Sequence, residues 1–192
     1  MLLGVDFDNT IVCYDQAFHA AAVRKGLVPP ETPVVKNAVR DYLRQCNRED
    51  DWTELQGFVY GAGMEAAQPF PGALEFFARC RERQVPACII SHKTRQPFLG
   101  PKYDLHAAAR AWLIHRGLDG DHVFFELTKA AKLQRIAATG CTHFIDDLPE
   151  FLAEPAFPPA VERILFDPNN HLAGTQFRRA TSWNQIQQLL GL

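Results

Sequence analysis

Residues 2–10 of this 192-residue chain read LLGVDFDNT, an apolar run that ends in two aspartates and a threonine. Leu2 to Phe7 is rich in branched and aromatic residues, which predicts a β-strand. In open α/β sheets, ligands bind beyond the carboxyl ends of the strands. Asp6, Asp8 and Thr10 stand at such an end, and we therefore predict that they belong to a functional site rather than to a helix cap or a solvated turn, the ordinary uses of aspartate.

Four further apolar runs predict strands, and helical patterns lie between them. The predicted strands are 87–90, 122–125, 142–145 and 163–166, and the intervening predicted helices are 72–83, 105–114 and 128–138. Strands that alternate with helices of this length favour right-handed crossovers and a mostly parallel sheet with helices on both faces. The predicted fold class is therefore α/β, a Rossmann-like three-layer sandwich.

The stretch from residue 12 to residue 68 is too long for a single crossover helix. It carries three helical patterns, at 16–25, 34–45 and 51–66, with a proline-rich break at 29–33 between the first two. We predict a small helical cap over 12–68, inserted after the first strand, and an α/β core formed by 1–11 and 69–192.

Polar residues also end two of the other predicted strands. Ser91 follows the apolar run at 87–90, and Asp146 and Asp147 follow the run at 142–145. Two lysines, Lys129 and Lys132, lie near the start of the helix predicted at 128–138. Since the carboxyl ends of parallel strands meet at one edge of a sheet, these residues should converge with Asp6.

This pattern resembles the haloacid dehalogenase-like (HAD) superfamily of aspartate-nucleophile phosphohydrolases. An apolar strand followed by DxDxT is matched by Leu2 to Thr10, and a strand followed by Ser or Thr is matched by 87–91. A strand followed by an acidic pair is matched by 144–147, with Glu150 shortly after, and the position of the insertion is similar to that of the family's small C1 cap. The resemblance implies hydrolysis of a phosphate ester.

The resemblance also implies roles for the individual residues. Asp6 would be the nucleophile and Asp8 the general acid and base. Mg²⁺ would be held by Asp6, by the backbone carbonyl of Asp8 and by Asp147, while Asp146 would orient metal-bound water; these adjacent carboxylates could exchange roles. The phosphoryl oxygens would be held by Ser91 and the family's lysine, with Thr10 supporting the loop.

The choice between the two lysines rests on helical periodicity. In the family, the lysine opens a helix with apolar positions four and seven residues later. From Lys129 those positions are Leu133 and Ile136, whereas from Lys132 they are Ile136 and the polar Thr139. We therefore predict that Lys129 faces Asp6 and that Lys132 is a solvated helix residue.

Composition limits the range of partners. The formal net charge of −2, from 20 basic and 22 acidic residues, gives no basic surface for nucleic acid or an anionic membrane. Five cysteines without a CxxC pair, and no apolar stretch near the ~20 residues of a membrane span, favour a cytoplasmic protein. The expected substrate is a small phosphorylated metabolite, with Tyr14 and Arg95 as candidates for specificity. A phosphatase for nucleotides or macromolecules and an inactive HAD-fold binding protein are the alternatives.

Overall fold

Two compact units make up the part of the chain that the computed structural model describes, which is residues 1–118, 122–172 and 174–192. The first unit contains Met1–Val12, Pro69–His92 and Leu118–Leu192, and the second contains Cys13–Gln68 and Lys93–Gly117. None of the helices within the described ranges is long and apolar enough to cross a membrane.

The secondary structure alternates in the first unit and is mainly helical in the second. The strands are Leu3–Val5 (β1), Val12–Cys13 (β2), Gln68–Pro69 (β3), Ala87–His92 (β4), Val123–Glu126 (β5), His143–Asp146 (β6), Glu162–Phe166 (β7) and Arg178–Ala180 (β8). The helices are Asp15–Arg24 (α1), Lys36–Gln45 (α2), Glu49–Tyr60 (α3), Ala73–Glu82 (α4), Leu105–His115 (α5), Lys129–Thr139 (α6), Pro149–Leu152 (α7) and Trp183–Leu190 (α8), with a short 3₁₀ helix at Met64–Ala66.

The main sheet of the described chain has the strand order β5-β4-β1-β6-β7-β8, and neighbouring strands are parallel throughout. Helices α6 and α7 cover one face, where they bury an apolar cluster with Ile90, Phe144 and Leu165. Helices α4 and α8 cover the other face, where Trp183 packs against Phe76 and Phe166. This arrangement confirms the predicted fold class, a parallel sheet between two helical layers. The edge strand β8 was not predicted.

One segment lies in a different unit from the one that the sequence indicates. The predicted core includes all of residues 69–192, whereas Lys93–Gly117 belongs to the helical unit. The Trp112 indole N–H donates to the carbonyl of Ala67 at 2.9 Å, and a Cβ placed on Gly61 would lie 2.5 Å from Tyr103. These contacts between residues distant in sequence attach α5 to the helical unit, and helical periodicity alone could not predict them.

Close packing around Gly4, in the central strand β1, leaves no room for a side chain. A Cβ at this position would lie 2.5 Å from Cδ2 of Phe144 and 2.8 Å from Sγ of Cys141, both of which are buried. Gly4→Ala should therefore lower the free energy of unfolding by about 1–3 kcal/mol, measured by urea denaturation. In a Phe144→Leu background the penalty should shrink, because the smaller side chain leaves room for the methyl group. An equal penalty in both backgrounds would contradict this explanation.

Candidate active site

The candidate site lies where the strand order of the sheet reverses. The chain proceeds from β1 to β4 and β5 on one side, and from β6 to β7 and β8 on the other, so the reversal falls between β1 and β6. Asp6 directly follows β1, and Asp146 is the last residue of β6. The backbone N–H of Asp6 donates to the carbonyl of Ile145 at 2.9 Å. Ligands of open α/β sheets bind at such a reversal, so these two aspartates occupy the expected position.

The loop after β1 is a tight turn that holds Thr10 inward. The backbone N–H groups of Ile11 and Val12 both donate to the carbonyl of Phe7 at 3.1 Å, and Asn9 adopts a left-handed φ of 59°, which asparagine tolerates better than most residues. Thr10 is fully buried, and its carbonyl accepts a hydrogen bond from the indole N–H of Trp183 at 3.2 Å. The sequence did not predict this contact, because no local signal links Trp183 to the loop.

A buried lysine joins the two aspartates. Nζ of Lys132 donates to Oδ1 of Asp6 and to Oδ2 of Asp146, each at 2.6 Å. All three side chains are buried, with Lys132 only 4% exposed. Two short charge-assisted hydrogen bonds from one ammonium group fix the relative positions of the carboxylates.

The prediction that Lys129 rather than Lys132 faces Asp6 is wrong. Lys129 is the exposed first residue of α6, whereas Lys132 is buried. The periodicity argument required an apolar residue seven positions after the lysine and rejected Lys132 because Thr139 occupies that place. The Thr139 hydroxyl contacts the carbonyls of Arg135 and Ile136, both at 3.0 Å, so its polar group is satisfied within the helix and the residue can lie half-buried.

Three carboxylates converge at the same place. Asp6, Asp146 and Asp147 each offer an oxygen, and these oxygens lie within 4.8 Å of one another. Asp147 is partly exposed, and its Oδ1 accepts a hydrogen bond from the Thr10 hydroxyl at 3.2 Å. Asp146 is fully buried and also accepts from the backbone N–H of Leu148 at 2.9 Å. Clustered carboxylate oxygens are the donor set that Mg²⁺ prefers, so the residues present fit that ion.

The electrostatics of the cluster favour an added cation. Burial raises the pKa of Asp6 to about 7; Lys132 opposes this shift, while the charge of Asp146 and, to a smaller degree, that of Asp8 add to it. Burial opposes the charge on Lys132, but Asp146 and Asp6 outweigh that effect and raise the pKa of the lysine above its usual value. One ammonium group thus faces three carboxylates, and either a proton or a cation reduces their mutual repulsion.

The other residues that the sequence predicted for the site lie in both units. Ser91 lies in β4 and is buried, and Asp8 is partly buried in the loop after β1. Tyr14 and Arg95 belong to the helical unit. Tyr14 is buried, and its hydroxyl contacts Sδ of Met64 at 3.4 Å. Arg95 is exposed and lies 3.8 Å from the carboxylate of Asp104.

No protein-family model matches the sequence, and no curated protein has a significant match to it. Solved structures do resemble the chain. Protein tyrosine kinase A of Mycobacterium tuberculosis has a TM-score of 0.66 at 16% identity, with 100% of this chain and 98% of that chain covered. A predicted phosphoglycolate phosphatase of Haemophilus somnus 129pt has a TM-score of 0.63 at 13% identity, covering 98% and 97% of the two chains.

A third similar structure is the HAD-hydrolase YfnB of Bacillus subtilis bound to magnesium. Its TM-score is 0.61 at 13% identity, with 100% of this chain and 98% of that chain covered. Several other neighbours are HAD-superfamily hydrolases. The chain therefore shares the α/β fold of these HAD-superfamily structures, and it carries an acidic cluster at the strand reversal. Identities this low establish the fold alone, and they assign no reaction to this chain.

Proposed function

We propose that the protein is a Mg²⁺-dependent phosphohydrolase that cleaves a small phosphate monoester through an aspartyl-phosphate intermediate. The observation that carries the proposal is the convergence of Asp6, Asp146 and Asp147 on one another, with Lys132 bonded to two of them. A cluster of carboxylates with a single ammonium group suits a metal and a phosphate, since phosphoryl transfer depends mainly on positioning and charge stabilisation.

The reaction divides into two displacements at phosphorus. In the first, a carboxylate oxygen of Asp6 forms a bond to phosphorus while the bond to the ester oxygen breaks, and Asp8 gives a proton to the departing alcohol. In the second, Asp8 takes a proton from water, whose oxygen attacks phosphorus and releases Asp6. Lys132 holds Asp6 in place and offers positive charge beside the phosphoryl oxygens, the role that the sequence assigned to Lys129.

Mg²⁺, when bound, would offset the negative charge of both the carboxylates and the phosphate ester, which otherwise repel each other. Asp6 and Asp147 would hold it through side-chain oxygens, and Asp8 through its backbone carbonyl. Asp147 suits this role better than Asp146, because the oxygens of Asp146 accept hydrogen bonds from Lys132 and from the backbone of Leu148. Asp146 would therefore act by fixing Lys132 and metal-bound water.

The test of the proposed function is phosphate release from a generic aryl phosphate at neutral pH with Mg²⁺. The wild-type chain should turn over, and a chelator should abolish the activity. A panel of sugar phosphates, other small phosphorylated metabolites and nucleotides then identifies the substrate class, which we expect to be a small metabolite. Absence of turnover over the whole panel, in protein that binds Mg²⁺, would favour the non-catalytic alternative.

Mg²⁺ should also stabilise the fold, because it binds the folded site and not the unfolded chain. At a hundred times its dissociation constant, an ion adds about 2.7 kcal/mol to the free energy of unfolding, which is visible as a rise in Tm. The rise should be larger at pH 8 than at pH 6, since Asp6 must lose its proton to bind metal and its pKa is raised to about 7. Asp147→Asn should reduce the rise, and an unchanged rise in that variant would exclude Asp147 as a ligand.

A further inference from the structure

Two buried cysteines lie side by side on the face of the sheet that α6 covers. Cys88 is the second residue of β4, and Cys141 lies two residues before β6. Both are only 5% exposed, both belong to the apolar cluster of that face, and both are free thiols. Their Sγ atoms are 3.7 Å apart, although the residues are 53 positions apart in sequence. The fold therefore brings two distant thiols into direct contact.

Gly4 makes this contact possible. In the parallel register, Gly4 of β1 pairs with Cys88 of β4, so the two residues present the same face of the sheet. A Cβ at Gly4 would lie 2.8 Å from Sγ of Cys141. Because β1 carries no side chain at this position, the sulfur of Cys141 reaches across it to Cys88, and strand pairing holds the two sulfurs together.

A cavity of about 250 Å³ borders the pair. Its lining includes Cys88 and Thr139, and also Pro86 and His122, which are exposed, so the cavity opens to solvent. Oγ1 of Thr139 lies 3.1 Å from Sγ of Cys141, which places the second sulfur just behind the cavity wall. Since a water molecule takes up about 30 Å³ in the liquid, a small oxidant such as hydrogen peroxide fits this space.

The pair suits a disulfide better than a metal ion. A structural zinc site takes four ligands, most often cysteine and histidine. Within the described residues, no histidine, third cysteine or carboxylate completes a group of three metal ligands with Cys88 and Cys141. Two thiols in contact are, by contrast, all that a disulfide requires.

We propose that Cys88 and Cys141 form a modification site that a peroxide converts reversibly into a disulfide. The site is independent of the proposed function. It lies toward the amino ends of β4 and β6, whereas the acidic cluster lies at the carboxyl ends of β1 and β6.

Cys141 is the thiol that reacts first. The hydrogen bond from Cys88 lowers the pKa of Cys141, against the effect of burial, whereas the same contact raises the pKa of Cys88. The thiolate is the nucleophilic form, so Cys141 attacks one peroxide oxygen. An S–O bond forms and the O–O bond breaks, giving a sulfenic acid and a hydroxide that combines with the proton that Cys141 released.

The sulfur of Cys88 then attacks the sulfenic sulfur of Cys141. An S–S bond forms, the S–O bond breaks, and the departing hydroxide takes the proton of Cys88 and leaves as water. Overall, the two thiols lose two electrons and one hydrogen peroxide is reduced to two waters. A dithiol reductant reverses the modification by thiol–disulfide exchange.

Peptide mapping of the full chain tests the proposal. The folded protein is treated with a few equivalents of hydrogen peroxide, free thiols are alkylated in denaturant, and the chain is cleaved with trypsin without reduction. The tryptic peptides 84–93 and 136–163 contain Cys88 and Cys141, respectively, and no other cysteine. They should appear as one linked species, two hydrogens lighter than their sum, and a dithiol should separate them.

Two results would overturn the proposal. In the first, peroxide oxidises other cysteines while peptides 84–93 and 136–163 stay separate. In the second, the linked species appears only when the chain is unfolded in urea before oxidation, which would mean that the fold does not present the sulfurs to each other. Both results come from the wild-type chain, so the test stands even if a cysteine variant does not fold.

Alanine variants assign the order of the two steps. Cys88→Ala should leave Cys141 as a sulfenic acid that a dimedone-type reagent traps, since no second thiol resolves it. Cys141→Ala should leave Cys88 unreacted. Cys80→Ala is the matched control: Cys80 is buried in the same unit beside a cavity of about 440 Å³, but burial raises its pKa to about 11. This control should form the linked species in wild-type yield, and trapping on Cys88 rather than Cys141 would contradict the order of reaction.

The disulfide should also raise Tm, because it joins residues far apart in sequence and so restricts the unfolded chain. The oxidised wild type should melt roughly 5 °C or more above the reduced protein, and Cys88→Ala treated in the same way should show no such rise. A lower Tm in the linked protein would show that the sheet must distort to join the sulfurs, which would contradict a site prepared by the fold.

Discussion

Asp6→Asn should lower kcat for an aryl phosphate by about 10⁴-fold or more, because the amide cannot form the aspartyl phosphate. The substitution is nearly isosteric and removes one of three clustered carboxylates, so the fold should be retained. Without metal, the variant should have a Tm equal to or above that of the wild type, since repulsion within the cluster falls. The measurements are steady-state phosphate release with Mg²⁺ and thermal unfolding with and without chelator.

A matched control for this variant is Asp50→Asn. Asp50 is exposed and lies at the start of α3, outside the acidic cluster. Its substitution should change the unfolding free energy by no more than about 0.5 kcal/mol and leave turnover at the wild-type level. Substantial turnover in Asp6→Asn, with the same dependence on Mg²⁺ as in the wild type, would rule out Asp6 as the nucleophile.

Lys132→Met should destabilise the protein by about 3–5 kcal/mol, since it leaves Asp6 and Asp146 buried without their counter-ion. Lys129→Met, on the exposed face of the same helix, should change the unfolding free energy by no more than about 0.5 kcal/mol. Urea denaturation without metal measures both. Phosphate release should fall strongly in Lys132→Met and little in Lys129→Met.

A double variant separates the loss of the ion pair from the other effects of Lys132→Met on stability. Adding Asp146→Asn to Lys132→Met removes one of the stranded carboxylates, so the combined loss of stability should be smaller than the two single losses added together. Strict additivity would mean that Lys132 stabilises the fold by packing alone. If Lys129→Met lost as much stability as Lys132→Met, the assignment of Lys132 as the lysine that binds Asp6 and Asp146 would be contradicted.

Local patterns predicted the sheet and the acidic end of β1, because strand periodicity and strand-end chemistry are both encoded over a few residues. Parallel pairing then brings Asp6 and the pair Asp146 and Asp147 together without further information. The choice of lysine failed for a local reason as well: Thr139 looked too polar for a buried face, yet its hydroxyl contacts carbonyls of its own helix.

Other features depend on tertiary contacts that no local pattern contains. The attachment of Lys93–Gly117 to the helical unit rests on contacts such as that between Trp112 and Ala67, 45 residues apart. The meeting of Lys36 and Lys93 on Tyr60 joins residues from separate segments of that unit. The hydrogen bond from Trp183 to the loop of Thr10 links the two ends of the chain. Periodicity and motif spacing carry no signal for such pairs.

The most direct test of the proposed aspartyl-phosphate intermediate is detection of a phosphoryl group on Asp6. The Asp8→Asn variant is mixed with Mg²⁺ and an aryl phosphate whose leaving group needs no protonation, quenched in acid and analysed by peptide mass spectrometry. Because the variant can form the intermediate but cannot activate water, the peptide containing Asp6 should gain the mass of one phosphoryl group, matched by a burst of released aryl alcohol and absent with chelator. Phosphate release at the wild-type rate with no modified peptide, or a phosphoryl group on another residue, would contradict it.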